Sequence, residues 1–420
     1  MIYRLSTFLL ILGIHVTLLS AQDSKIFDKD IKTLQVIAND NPLLPPVIEL
    51  GGDNHIEISF DKLSHEYHRY TYKIQHCNAD WTPSTEIFES AYLEGFNGEP
   101  VEEYETSFNT NLLYTNYRIR IPNEDISLKI SGNYLLTIYG DEENDDPDKP
   151  VLTAAFSIVE PQVGISASIS TNTDIDYNDK HQQISFQINH SQLNVVDPKR
   201  DLKIYVQQNG RTDNMVANPQ INIQKPGVLE YAYNRNLIFP AGNEYHKFEI
   251  LGFARANMNV DQIQWFSPYY HVTLYPDKPA RNYILESDQN GACIIRNEND
   301  VDNATASEYV FVHFTFESPE IPGGDVYLQG TWTHNAFTPE FKMKYNQERK
   351  AYEATQLLKL GYYNYQYLFL PDGQKKANTD KTEGNFYETE NNYQIRVYYR
   401  ASGDRYDQMV GFQNIQFQTH

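Results

Sequence analysis

Apolar residues alternate with polar ones along almost the whole chain, and a period of two admits strands and little else. Ile56, Ile58 and Phe60 show it first, then Ile184, Phe186 and Ile188, and then Leu202, Ile204 and Val206 before the turn signal Asn209-Gly210. It returns in Val310, Val312, Phe314 and Phe316, and in Tyr393, Ile395, Val397 and Tyr399. Short alternating runs bounded by Gly, Pro, Asn and Asp predict half-buried strands. Tyrosine occurs 32 times, and aromatic side chains suit a pleated, half-covered surface. No stretch carries a helical period beyond a short turn, so the expected fold is all-β, built of stacked sandwiches.

The chain opens on a different pattern. Arg4 precedes an apolar run from Phe8 to Leu19, and Ser20-Ala21 supplies small residues before Gln22. This predicts a secretory signal peptide over residues 1–21 and a mature protein beginning at Gln22. The rival reading, an uncleaved anchor, needs about 20 apolar residues to span a bilayer, more than this run offers. No cysteine follows to carry a lipid, and no other long apolar run follows, so no direct membrane insertion is expected. Two punctuations divide the rest: Glu160-Pro161, and Tyr275-Pro276-Asp277-Lys278-Pro279. The expected organisation is three tandem sandwiches over 22–160, 161–280 and 281–420, each of ordinary domain size.

Charge removes whole classes of function. The formal net charge is −22, which repels phosphate backbones and excludes nucleic acid as a partner. Anionic lipid and lipopolysaccharide surfaces repel it equally. Cys77 and Cys293 are the two cysteines, too few for a disulfide scaffold. Their placement in the first and third pieces makes the ~7 Å Cα limit of a bridge hard to meet, so free thiols are expected.

Chemical constellations are sparse. His76-Cys77 is the densest reactive pair, but Tyr70, Tyr72 and Ile74 put His76 on the apolar face of a strand. Cys77 then faces the other way, and the two cannot form a nucleophile–base pair. His65 and His68 lack a third metal ligand nearby. The acidic loop from Asp141 to Asp146 lacks the glycine and terminal glutamate of an EF-hand. No Gly-x-Ser-x-Gly elbow, His-Glu-x-x-His helix or phosphate-cradling glycine loop is present. Catalytic residues, a metal, a cofactor and a small-molecule substrate are therefore not expected. With 56 acidic residues some pair of carboxylates is always available, which leaves a glycoside hydrolase open.

The third piece adds a more specific pattern: Val326-Tyr327-Leu328-Gln329-Gly330-Thr331-Trp332, then Met343, then Gly361-Tyr362-Tyr363-Asn364-Tyr365-Gln366-Tyr367. It resembles the early-set, immunoglobulin-like sandwich of glycogen- and starch-binding modules. Where those modules place a tryptophan for stacking on sugar, this chain has Phe337, and Trp332 reads as core. A carbohydrate-binding envelope module is the alternative function.

Several runs taken together resemble the plug protein family of the type IX secretion system. They are His76-Cys77-Asn78-Ala79-Asp80-Trp81, Tyr92-Leu93-Glu94-Gly95-Phe96, Ser107-Phe108-Asn109-Thr110, Ser131-Gly132-Asn133-Tyr134 and Asp288-Gln289-Asn290-Gly291. The most distinctive is Glu383-Gly384-Asn385-Phe386-Tyr387-Glu388-Thr389-Glu390-Asn391, continued by Val397-Tyr398-Tyr399-Arg400 and Arg405-Tyr406-Asp407. The resemblance implies a bacterial periplasmic protein at the inner face of the outer membrane. Its implied partner is the giant β-barrel translocon, whose inner mouth it closes when no cargo passes. It brings no catalytic residues. Aromatic turns are the natural contact anchors, and the sequence offers Trp81, Tyr92 and Phe96 in the first piece and Tyr387 in the third.

Overall fold

The computed structural model describes residues 23–140, 149–255 and 257–418; the expected signal peptide and the acidic loop Asp141 to Asp146 lie outside them. Every long element among these residues is a strand, and the three α-helical segments, Glu89–Tyr92, Pro198–Asp201 and Asn303–Ala306, are single turns. No helix among them is long and apolar enough to cross a membrane.

The strands build three two-sheet sandwiches, each around its own apolar core. In the first, one sheet runs Lys25–Ile26, Pro150–Val159, Gly132–Gly140, Tyr70–Cys77, Glu99–Pro100, with Val47–Glu49 parallel to Pro150–Val159. The facing sheet runs Ile31–Ala38, Ile56–Lys62, Thr115–Ile121, Glu103–Thr106. Alternation sends Ile56, Ile58 and Phe60 inward to meet Tyr72, Ile74, Tyr134 and Phe156 in one core.

The second sandwich corrects the expected division at residue 280. One sheet runs Gly164–Ser170, His181–Asn189, Val228–Tyr231, Ile223–Lys225. The other runs Val216–Ala217, Leu202–Gln208, Asn392–Tyr399, Gln408–Gln416, so two of its four strands come from the far end of the chain. Ile184, Phe186, Ile204 and Val206 share a core with Tyr393, Ile395, Val397 and Val410. The alternating run 393–399 was legible as a strand, but its partner was not. Its hydrogen bonds go to Leu202–Gln208 in register, Val206 opposite Ile395, across nearly two hundred residues of chain.

The third sandwich is therefore inserted into the second, and it starts before residue 280. His246–Ile250 pairs with Gly361–Pro371, which also pairs with Cys293–Ile295 and Gly324–Gln329. The facing sheet runs Val260–Phe266, Tyr269–Leu274, Tyr309–Phe316, Ala351–Lys359, Lys344–Asn346. Phe248, Val272 and Leu274, expected in the middle piece, lie in one core with Val310, Phe314, Leu328 and Tyr367. The Pro276–Pro279 punctuation is thus a connection inside this sandwich rather than a boundary between two.

Candidate functional site

A chain that must act as one body has to join its sandwiches, and most of the distinctive runs lie at the joints. Between the first and second sandwiches the strand Tyr70–Cys77 ends in a turn, where Asn78 N–H donates to the Thr82 carbonyl (2.8 Å) and Ser84 N–H to the His76 carbonyl (2.9 Å). The turn presents Ala79 to the second sandwich, where its N–H donates to Asp407 Oδ2 (3.0 Å). Asp407, fully buried, also takes both bonds of the Lys203 ammonium (2.9 and 2.7 Å). Asn133 closes the joint, accepting the Tyr398 hydroxyl and the Ser157 hydroxyl on Oδ1, each at 2.8 Å. Ala79, Val159, Tyr205, Tyr398 and Met409 fill the space between.

His76 holds this turn rather than reacting. Its Nδ1 bonds Ser84 Oγ at 2.8 Å and its Nε2 bonds the Ser131 carbonyl at 3.1 Å. Burial lowers the imidazole to about 4 and pushes the Cys77 thiol up to about 12. Both are neutral at pH 7, and Cys77 faces Trp81 and Ala155 on the opposite side of the sheet. Gly132 is demanded here: at φ +145° its Cβ would lie 2.2 Å from His76 Nε2.

The joint between the first and third sandwiches is centred on a buried ion pair. Phe60 faces the core, so Asp61 points out of the sheet and into the third sandwich. It meets the Lys359 ammonium at 2.7 Å, with 0% and 1% of the two side chains exposed. Tyr309 donates its hydroxyl to Asp61 Oδ2 (2.6 Å), Asn116 Nδ2 donates to Oδ1 (2.8 Å), and the ammonium sits 4.1 Å from the Tyr114 ring centre. Burial lowers the Lys359 ammonium from its ordinary value, against the opposing pull of Asp61. The Ser107–Thr110 run serves the same joint, its Phe108 N–H donating to the Thr305 carbonyl at 2.9 Å.

The long run 383–391 ties the third sandwich back to the second. Glu383 Oε2 bonds His246 Nε2 (3.0 Å), Asp277 Oδ1 bonds His246 Nδ1 (3.2 Å), and Tyr365 and Tyr367 both donate to Asp277 Oδ2 (2.7 Å). Burial alone would lower His246, but Glu383 and Asp277 outweigh it and hold the imidazole well above its ordinary value. Asn391 Nδ2 donates to the Ala241 carbonyl and Gln182 Nε2 to the Thr389 carbonyl, each at 2.8 Å. A cavity at this joint, about 20 Å³ and lined by Gln208, Asn209, Asn214 and Asn391, has room for one water rather than for a sugar. Asp23 stitches all three bodies, accepting from Thr212 (3.0 Å) and from Asn335 (3.1 Å).

The four anchors expected from sequence separate here. Trp81 is not an exposed turn residue: the fold-back after Cys77 lays its ring on Cys77 and Ala155, leaving 6% exposed. Tyr92 is likewise buried, its hydroxyl donating to the Ile74 carbonyl at 3.3 Å. Tyr387 is half-buried, and its carbonyl accepts Gln182 Nε2 at 2.8 Å. Of the four, Phe96 alone stands in solvent, 77% exposed; Phe88, eight residues earlier, is 80% exposed. Trp332, expected in the core, is half-buried and packs against it, stacking on Phe314 and donating to the Asn364 carbonyl (3.1 Å). Phe337 rests edge-on against Tyr327 at 5.3 Å. His65 bonds Ser107 Oγ at 2.8 Å. No group of three metal-ligating side chains occurs among the described residues, and both cysteines are free.

A family model described as type 9 secretion system plug protein 1st domain matches residues 31–160, the first sandwich. The structure is similar to the crystal structure of a hypothetical protein from Parabacteroides merdae ATCC 43184, with a TM-score of 0.91 and 44% identity over 94% of this chain and 99% of that one. A marsupial T cell receptor aligns with 93% of this chain at 8% identity and a TM-score of 0.16, too low to bear on fold or function. No curated protein matches the chain.

Proposed function

The chain belongs to the type IX secretion system plug protein family, and on that premise we propose that it docks on the periplasmic opening of the translocon barrel and closes it when no cargo is passing. A barrel of very high strand number encloses an aqueous lumen wide enough for folded cargo. An open lumen leaks solutes, so a cover must be stiff and removable. The observation that best supports this reading is the set of buried joints. Asp61–Lys359 joins the first sandwich to the third, and Ala79 N–H on Asp407 and the Tyr398 hydroxyl on Asn133 join the first to the second. The bonds of Asn391 to Ala241 and of Gln182 to Thr389 tie the 383–391 run into the second, so the three sandwiches are bound into one body. Buried polar pairs have one satisfied geometry, so they resist the shear that apolar contacts alone would permit. Removability calls for a polar, partly wet interface of ordinary size, about 1,200–2,000 Å². The site of action is the periplasm, at the inner face of the outer membrane.

Deleting the gene tests the reading. Secretion should continue, while the outer membrane admits bulky hydrophilic antibiotics that it normally excludes; re-expression of the wild type should seal it. Loss of secretion with unchanged permeability would replace the plug with an assembly or motor role.

A further inference from the structure

Single exposed apolar residues are ordinary on protein surfaces; two phenylalanines on one rigid mount are not. Glu89 follows Phe88 and Asn97 follows Phe96, and these two neighbours are bonded: Glu89 accepts from Asn97 Nδ2 at 2.7 Å and from its N–H at 3.3 Å. The two phenylalanines therefore stand on neighbouring, bonded segments of the surface, and both are exposed. Asn97 is in turn locked to the sheet edge beyond Glu99–Pro100, its Oδ1 accepting the Ile74 N–H (2.7 Å) and its Nδ2 donating to the Ile74 carbonyl (3.0 Å). Gly95, at φ +100°, lets the chain press on Asp125, where a Cβ would lie 2.0 Å from the carbonyl oxygen. The run Tyr92–Phe96 is the one family-like stretch of the first sandwich that serves no joint.

The charge around the rings selects the occupant. From Pro83 to Glu99 the chain carries four carboxylates, Glu86, Glu89, Glu94 and Glu99, and no lysine or arginine. At its margin Lys129 donates to the Ser90 carbonyl (2.9 Å) and Arg400 to Glu86 (2.8 Å). An acidic rim opposes anionic lipid and a second copy of this chain alike. We propose that Phe88 and Phe96 form a preorganised wedge that seats in an apolar socket, rimmed by Lys and Arg, on the periplasmic face of the translocon barrel. This rests on the plug reading and names the surface that performs it. Because the mount is already rigid, little ordering cost is left to docking, and two exposed aromatics on bonded neighbouring segments supply the kind of side chain that dominates interface hot spots.

Full-length protein and purified translocon test it by titration. Wild type should bind, and Phe88→Ser/Phe96→Ser should bind about tenfold to a hundredfold more weakly with an unchanged unfolding midpoint. Trp265→Ser/Phe266→Ser, which removes an exposed aromatic pair on the third sandwich, should bind as wild type does. Glu94→Lys should weaken binding and flatten its dependence on salt. Equal binding by wild type and Phe88→Ser/Phe96→Ser overturns the wedge and leaves the plug reading standing, whereas failure of wild type to bind overturns both. Flotation with phosphatidylglycerol vesicles, or self-association in sedimentation, that disappears in Phe88→Ser/Phe96→Ser would overturn the wedge in favour of lipid or of a second copy.

Discussion

Lys359 places a charge where almost no lysine is found, 1% exposed and 2.7 Å from an equally buried Asp61. Forming such a pair from water gains little, because desolvation offsets the attraction. Breaking it from one side is costly, because the remaining charge stays buried without its partner. Lys359→Met should therefore lower stability by about 3–5 kcal/mol, read as a shift in urea midpoint. The double variant Asp61→Asn/Lys359→Met should recover most of the loss, since the neutral amide keeps an acceptor for Tyr309. A double variant no more stable than Lys359→Met would show that packing, not charge, holds this joint. Neither residue was legible in advance. Asp61 follows Ile56, Ile58 and Phe60 as an ordinary outward-facing acid, and nothing in a strand's own alternation says that its outer face is covered by a body 298 residues away. The same blindness misplaced Trp81 and Tyr92. Their aromatic turns were visible, but the backward fold of the turn onto its own sheet was not.

At the scale of elements, the run 383–391 acts as a strap that leaves the third sandwich and feeds the strand Asn392–Tyr399 into the second. Its anchors titrate near neutrality. Glu244 accepts from the Tyr283 hydroxyl (2.6 Å) and the Glu390 N–H (3.0 Å), and burial raises its carboxyl to about 7. Burial likewise raises its neighbour Asp288 to about 6. A raised carboxyl favours the folded state while protonated. That contribution is complete below the unfolded value of about 4.3 and is lost as pH rises through the folded value. His246, held above its ordinary value, runs the same way: its contribution is complete below about 6.5 and fades toward alkaline pH. The strap should thus be tightest in mild acid and loosen as pH rises. Glu244→Gln keeps the acceptor and removes the titration. Relative to wild type it should be neutral near pH 4 and gain about 1–3 kcal/mol by pH 8, measured by urea unfolding across that range. A gain independent of pH would assign the effect to something other than ionisation. The run was recognisable in the sequence as a family signature; its role as a strap was not, because Gln182, Ala241 and His246, which receive it, are scattered and unremarkable in sequence.

The strands of the whole molecule were readable and their grouping was not. Alternation is local, recorded in each run, whereas pairing between 202–208 and 392–399 is a property of the chain's return path. Periodicity therefore found Tyr393, Ile395 and Val397 and assigned them to the wrong body. That return has a mechanical consequence. In a tandem array each sandwich can peel from its neighbour by bending one linker. Here the third sandwich hangs from the second by two chain crossings, near residue 241 and through 383–391, and is also joined to the first at Asp61. Hinge motion between them must break buried polar contacts, which suits a cover that is removed whole. The nested topology predicts how fragments behave. Residues 22–280 contain both of the first two pieces of a tandem chain but lack Asn392–Tyr399 and Gln408–Gln416, half the strands of one sheet of the second sandwich. That fragment should keep the first sandwich folded and leave 163–240 open, since Ile204 and Val206 lose Ile395, Val397 and Val410 from their core. Adding a peptide of residues 392–418 in trans should restore protection, because a missing strand can be supplied by another chain. Hydrogen exchange followed by mass spectrometry reads both states: rapid exchange across Leu202–Gln208 in the fragment alone, slowed when the peptide is present. Slow exchange there without the peptide would mean that the middle sandwich closes unaided, and the chain would then be a row of separate domains.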